Sequence, residues 1–333
     1  MLRIHFGSTD LSSSRMASRP DPLWEIACSL HRFQTARGRW AYADWFRTTR
    51  AALTGTPLGK AVRTLLIPLF PRTAYFPDFL TPQEGAEGLN AALQAIIDTP
   101  AERVRDEIAR LDHVRGAPPW AHRLTDKEDR EQLVTVLRSY HEALIAPYGD
   151  QMQAAVDAER CVRARTVLDA GTPGLLQGPA AMARWTPPAL EVEYTSEDRD
   201  LYLDGRGLRL VPSYFCWREP ISFADPQLPP VLLYALQHPA AGGTRPSEET
   251  LAALLGRTRA AILCLTAEGA TTSELARLTG ISPASASHHT TVLRDAGLVT
   301  SRRHGNTVLH TLTPTGAALL RRPPTARESR HQA

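Results

Sequence analysis

Leu275-Ala276-Arg277-Leu278-Thr279-Gly280-Ile281-Ser282-Pro283-Ala284-Ser285-Ala286-Ser287-His288-His289 carries a helix stop and a helix start almost back to back. Gly280 ends one helix. Ser282-Pro283 opens the next, because a serine oxygen can cap free N–H groups and proline suits the first helical position. Upstream, Thr271-Thr272-Ser273-Glu274 matches a capping box, with Thr271 at the N-cap and Glu274 reaching back from the third helical position. Leu275, Ala276 and Leu278 are expected on the buried face of the first helix. Ala286, His289, Val292 and Leu293 are expected on the inward stripe of the second, as structural positions. A helix, a tight turn and a second helix at this spacing form a helix-turn-helix pattern.

The flanks extend the pattern. Arg257 to Ala267 reads as a preceding helix that stops before Gly269. Leu298 to Arg303 is extended, His304-Gly305-Asn306 turns the chain, and Thr307 to Leu312 returns as a strand with Val308 expected in the core. That hairpin is a wing with a basic approach to its tip. Thr313-Pro314 begins a last helix through Leu320. On the helix from Pro283 to Ala296, the small side chains of Pro283, Ala284 and Ser285 would let its N-terminal half sit deep in a major groove. Ser282, Ser287 and His288 offer groups for base edges or phosphates. Arg302, Arg303 and Asn306 on the wing are suited to clamp the backbone or enter the minor groove. The partner these residues point to is double-stranded DNA.

The run from Leu275 to His289, followed by Val292-Leu293-Arg294-Asp295-Ala296-Gly297-Leu298-Val299, resembles an ArsR-type winged helix-turn-helix transcriptional regulator over roughly residues 250 to 320. The part from Met1-Leu2-Arg3-Ile4-His5-Phe6 through Asp21-Pro22-Leu23-Trp24-Glu25 resembles the large uncharacterised domain fused upstream of such modules in actinobacterial members. The resemblance implies a homodimer on a partly palindromic operator, usually repressing until an effector arrives. Two departures stand out. Metal sensors of this type often carry a Cys-x-Cys pair in the helix before the recognition helix, and Ser273 to Leu278 has no thiol, so the usual metal site is not expected. Thr290 stands where the family usually has an apolar residue, which predicts one weakened core contact.

Charge supports the division. The chain's formal net charge is only +3, yet Arg257 to Ala333 holds ten Arg against four acidic residues, a balance of +6. The preceding 256 residues carry 28 basic and 31 acidic groups. A basic module behind a slightly acidic body points to nucleic acid or a membrane surface as the partner of the basic end. No apolar run approaches the length of a membrane span, and Met1 to Asp10 shows no signal-peptide pattern, so a cytoplasmic protein, associated with the nucleoid through DNA, is expected. Cys28, Cys161, Cys216 and Cys264 form no Cys-x-x-Cys pair and read as free thiols. A metal site joining Cys264 to His288, His289 or His304 has suitable ligand types but nonspecific spacing. No metal and no cofactor are expected.

The expected fold class is mainly α with small β elements. Residues 1–240 form a mostly helical domain for effector binding or dimerisation, with a small sheet in its second half. Its helices are read at Leu23 to Leu30, with Leu23, Ile26, Ala27 and Leu30 on one stripe, then Arg39 to Leu53, Glu84 to Ile97, Ala101 to His113, Asp126 to Ile145, and Pro147 to Asp169. Four prolines make Leu65 to Pro82 a poor helix interior, so an ordered loop is expected there. Extended runs fall at Leu2 to Phe6, Leu190 to Tyr194, Leu201 to Leu203, Leu208 to Val211 and Val231 to Tyr234. Residues 241–249 read as a linker, 250–322 as the winged module and 323–333 as a disordered tail. Trp24, Trp40, Trp45, Tyr75, Phe76, Tyr214 and Trp217 are candidates for the wall of an effector pocket, or else plain core. Asp78, Asp112, His113 and His122 belong to no nucleophile set, metal motif or phosphate loop, so no enzyme is expected. The competing readings are a protein-interaction module built on a winged helix that does not bind DNA, and an enzyme in the N-terminal domain.

Overall fold

A computed structural model describes residues 1–72, 75–176, 183–194, 198–238, 248–304 and 307–320. The chain is mainly α-helical with small sheets, and it divides into two units, Met1–His238 and Pro239–Ala333. Residues 241–247 of the expected linker, and the whole expected tail 323–333, lie outside the described residues.

In the first unit, β1 (Leu2–His5) and β2 (Arg15–Met16) precede α1 (Pro22–Phe33). Asp21 caps α1, its carboxylate accepting the Trp24 N–H at 3.5 Å, and Pro22 takes the first turn. The stripe of Leu23, Ile26, Ala27 and Leu30 is only part of what α1 buries, because the helix is enclosed from Pro22 to Arg32. It therefore holds polar side chains inside. Glu25 accepts the Tyr214 N–H at 2.8 Å, the Phe215 N–H at 3.0 Å and the Ser213 hydroxyl at 3.0 Å. Burial outweighs these three donors and raises its pKa to about 7.

The helices that follow are α2 (Ala43–Leu53), α3 (Leu89–Asp98), α4 (Ala101–Arg115), α5 (Lys127–Tyr140) and α6 (Gly149–Ala170). The loop expected over Leu65 to Pro82 is corrected in its first part. Helical turns run through Pro57–Ala61, a wide turn Val62–Leu66 and Ile67–Leu69. The Ile67 N–H reaches back to Val62 O, which widens the ladder just where Pro68 has no donor to give. A second wide turn, His141–Ile145, follows α5 and likewise precedes a proline. Pro147 consequently sits in the tight turn Ala146–Tyr148 rather than opening α6.

The remaining strands are β3 (Ala183–Thr186), β4 (Ala189–Val192), β5 (Arg199–Tyr202), β6 (Arg209–Ser213) and β7 (Val231–Ala235). One sheet has the order β3-β4-β1-β5, with β1 antiparallel to β4 and parallel to β5. The other, β2-β6-β7, is parallel throughout. Both faces of that small sheet are buried, as parallel pairing favours. Leu210, Leu232 and Tyr234 pack with Leu2, Ile4 and Leu190 between the sheets, while Val211, Val231 and Leu233 join the large helical core. Among the described residues no helix is long and apolar enough to cross a membrane.

The second unit contains α7 (Glu248–Leu255), α8 (Arg257–Leu265), β8 (Ala270–Thr271), α9 (Thr272–Thr279), α10 (Pro283–Asp295), β9 (Val299–His304), β10 (Thr307–Leu312) and α11 (Pro314–Leu319). The strands form one antiparallel sheet, β8-β10-β9. Leu251, Ala260, Ile262, Leu263, Leu275, Ala286, Leu293 and Val299 share its core. At Gly316 in α11 a Cβ would stand 2.0 Å from Leu298 O, so only glycine permits this approach.

Candidate nucleic-acid interface

The turn between α9 and α10 is built from local chemistry. The capping box is present at both ends: the Glu274 N–H donates to Thr271 Oγ1 at 3.3 Å, and the Thr271 N–H donates to Glu274 Oε2 at 2.8 Å. Gly280 adopts a left-handed conformation at φ 70°, which glycine takes without steric cost. Ser282 then caps α10 by accepting the Ser285 N–H at 3.1 Å, with Pro283 in the first turn.

This geometry fixes which residues α10 offers to solvent. Ser282, Pro283, Ala284, Ser287 and His288 are exposed, and Ser285 is half-buried with its hydroxyl 2.9 Å from that of Ser282. Ala286 and Leu293 are buried, as the inward stripe requires. His289 is half-buried on the same side, and its Nδ1 meets no hydrogen-bond partner, so it is held by packing rather than by a bond through that nitrogen. The rings of His288 and His289 lie 5.7 Å apart.

Two core expectations are corrected here. Leu278 is 52% exposed, because only Leu275 and Ala276 of α9 face the core. Val308 is also exposed: it lies beyond the pairing with β8, whereas His310, on the same face of β10 and opposite Ala270, is buried. Thr290 stands inside the core. It is buried, with its hydroxyl donating to Ser287 O at 3.0 Å, so the helix backbone satisfies the polar atom.

The wing pairs β9 with β10 from Val299↔Leu312 to His304↔Thr307. Arg302 and Arg303 are exposed on β9, whereas Asn306 lies outside the described residues. His310 is the residue that sequence reasoning missed. Its Nδ1 lies 2.8 Å from Ser301 Oγ on β9 and its Nε2 lies 2.9 Å from Thr272 Oγ1 at the start of α9. It therefore ties the wing to the helix-turn-helix, and burial, aided by Arg294, lowers its pKa. The signal was present: a strand face that holds Val308 also holds His310 two residues on. Among the described residues no three His, Cys, Asp or Glu side chains gather as a metal site.

In the first unit most of the aromatic candidates pack against other rings. Trp24 packs against Phe76 and Phe223, with ring centroids at 6.0 and 5.6 Å. Trp45 packs on Phe215 at 4.9 Å, and Tyr214 lies 5.9 Å from Tyr42. Trp40, largely exposed, meets Trp217 edge-on at 5.6 Å, while Tyr75 lies under Arg110. Trp24, Trp45, Phe76 and Tyr214 are thus core residues whose neighbours are other rings.

Residues 254–302 match the family model for a helix-turn-helix domain. A solved structure, reduced HlyU from Vibrio cholerae N16961, is 25% identical and covers 22% of this chain and 83% of its own length, with a TM-score of 0.20. No curated protein matches the chain. The C-terminal unit is a winged helix-turn-helix.

Proposed function

We propose that this protein is a sequence-specific DNA-binding transcriptional regulator of the ArsR type. It acts as a homodimeric repressor whose operator affinity answers to a small molecule taken up by its actinobacterial-type N-terminal unit. The observation that carries the reading is the exposed start of α10, where Ser282, Pro283, Ala284, Ser287 and His288 form a surface of small and polar side chains beside a basic wing. A helix with this surface enters a major groove without steric hindrance. Arg302 and Arg303 then supply the charge that holds the duplex. The N-terminal unit works without catalysis, by favouring one separation of two DNA-reading modules over another. In the cell the protein resides in the cytoplasm on the nucleoid.

The deciding experiment is selection of genomic DNA fragments by the purified full-length protein. Recovery of one enriched, partly palindromic sequence is the expected result. Recovery of no fragment would favour a protein-contact role for the winged helix or a missing effector, and binding of all fragments alike would remove sequence specificity from the reading.

A further inference from the structure

Three arginines are buried among the described residues, and two of them spend their donors inside the fold. Arg130 donates from Nη1 to Leu124 O at 2.8 Å and to Thr125 O at 2.9 Å, and from Nε and Nη2 to Ile97 O at 3.1 and 2.9 Å. Arg163 pairs with Glu159 at 2.7 Å. Arg32, on the last turn of α1, is different. It is only 3% exposed, yet its Nε and Nη1 meet no hydrogen-bond partner, and no carboxylate among the described residues pairs with it. Its recorded neighbour is the face of the Tyr42 ring, 6.0 Å from the guanidinium carbon.

That imbalance is large in physical terms. A guanidinium cannot shed its charge inside a protein, and a buried charge without partners is among the most unfavourable features a fold can hold. A ring at 6.0 Å returns only part of the lost hydration. The surroundings do not supply the rest. Glu219 is engaged by Arg72 and also lies 3.8 Å from Arg37. Glu25, two turns earlier on α1, is committed to Ser213, Tyr214 and Phe215. His31 adds no counter-charge: burial, then Arg32 and Arg72, lower its pKa to about 3, and its Nε2 is also without a partner.

We propose that Arg32 anchors a binding site for a small organic carboxylate. The inference deepens the reading of the N-terminal unit as the one that takes up a small molecule, and rests on it. One unpaired guanidinium matches one negative charge, and its planar fork fits the two oxygens of a carboxylate. A phosphate, with nearly two charges, calls for a second cation, and Arg72 is already engaged by Glu219. Tyr42 beside Arg32 gives the site an aromatic wall suited to the body of such an acid.

The test uses full-length protein and thermal unfolding followed by tryptophan fluorescence, with sodium benzoate as the probe. Benzamide serves as its neutral counterpart, and sodium phosphate and sodium chloride as ionic controls at equal ionic strength. Benzoate is expected to raise Tm saturably, and the three controls are not. Arg32→Met should unfold, without ligand, at or above the wild-type temperature, because a buried unpaired cation has gone, and should lose the benzoate response. Arg32→Lys, which keeps the charge without the fork, should bind benzoate at least about tenfold more weakly. No saturable response of the wild type overturns the proposal, as does an equal response in Arg32→Met. Equal shifts from chloride or phosphate would mean an adventitious ion only. A strongly destabilised Arg32→Met would show that the fold itself satisfies Arg32, which also overturns it. No DNA enters these measurements, so their failure would leave the operator selection free to succeed.

Discussion

At the scale of single residues, exposed charge and exposed hydroxyl make different predictions. Arg303 is exposed on the wing strand β9, where a contribution to DNA binding would be electrostatic. Arg303→Ala should weaken binding about equally across DNA sequences and reduce the salt slope of log K by roughly one unit, measured by titration at several salt concentrations. An unchanged slope would remove Arg303 from the phosphate contacts. Ser287→Ala or His288→Ala on α10 should instead change discrimination between operator variants, with about 1–3 kcal/mol lost at the base concerned. Equal losses on every sequence would argue against base reading. In the first unit His31 makes a pH prediction. Its folded pKa of about 3 lies below the ordinary 6.5, so the unfolded chain binds the extra proton, and the stability it contributes above 6.5 is lost as pH falls. His31→Phe removes that proton uptake while keeping a ring beside Phe76. Its stability relative to wild type should rise by about 2 kcal/mol between pH 6.5 and pH 5, measured by urea unfolding. All six tryptophans precede residue 218, so their fluorescence reports the first unit. A pH-independent difference between the two proteins would show that His31 is not held neutral by the fold.

At the scale of elements, what was legible in the sequence was what local chemistry controls. Thr271, Glu274, Gly280, Ser282 and Pro283 each act within a few residues along the chain, and together they set the ends of α9 and α10. The strands β6 and β7 were visible as apolar runs, but not that both their faces would be buried. Which residues cover the second face is a matter of chain segments far apart, such as Leu2 and Ile4 of β1. Pro68 misled for a related reason: proline forbids a regular helical bond, and the widened turn at Val62–Leu66 removes the need for it. The shared face of Val308 and His310 was legible, but not that pairing with β8 would cover it at His310 and leave it open at Val308. The capping box supports a prediction of its own. Thr271→Ala removes the acceptor for the Glu274 N–H and should cost about 1 kcal/mol, which appears as roughly fivefold faster hydrogen exchange in the first turn of α9. Unchanged exchange there would mean that packing of Leu275 and Ala276, not the cap, holds the helix start.

At the scale of the whole molecule, the small net charge of +3 conceals an uneven distribution that serves the proposed activity. On the proposed reading the basic end would meet the duplex, while the slightly acidic remainder of the chain would not itself be drawn to phosphate. Far more chain is present than DNA reading requires, and the proposed role of the surplus is to couple two reading modules. That coupling has a geometric consequence. B-DNA turns once in about 10 base pairs, so inserting 5 base pairs between half-sites rotates one of them to the opposite face of the duplex. If the two modules are held by a dimer of the first unit, a 5-base-pair insertion should reduce affinity to that of a single half-site. A 10-base-pair insertion should recover affinity only as far as the joined modules can reach. Gel-shift titration of operators with graded spacers reads both. A ligand that releases the protein from its operator must then change the preferred spacing, because binding both arrangements equally would leave the equilibrium where it was. Equal affinity at every spacing would mean that each winged helix binds alone, and the first unit would have to act on DNA binding by some other route than separation.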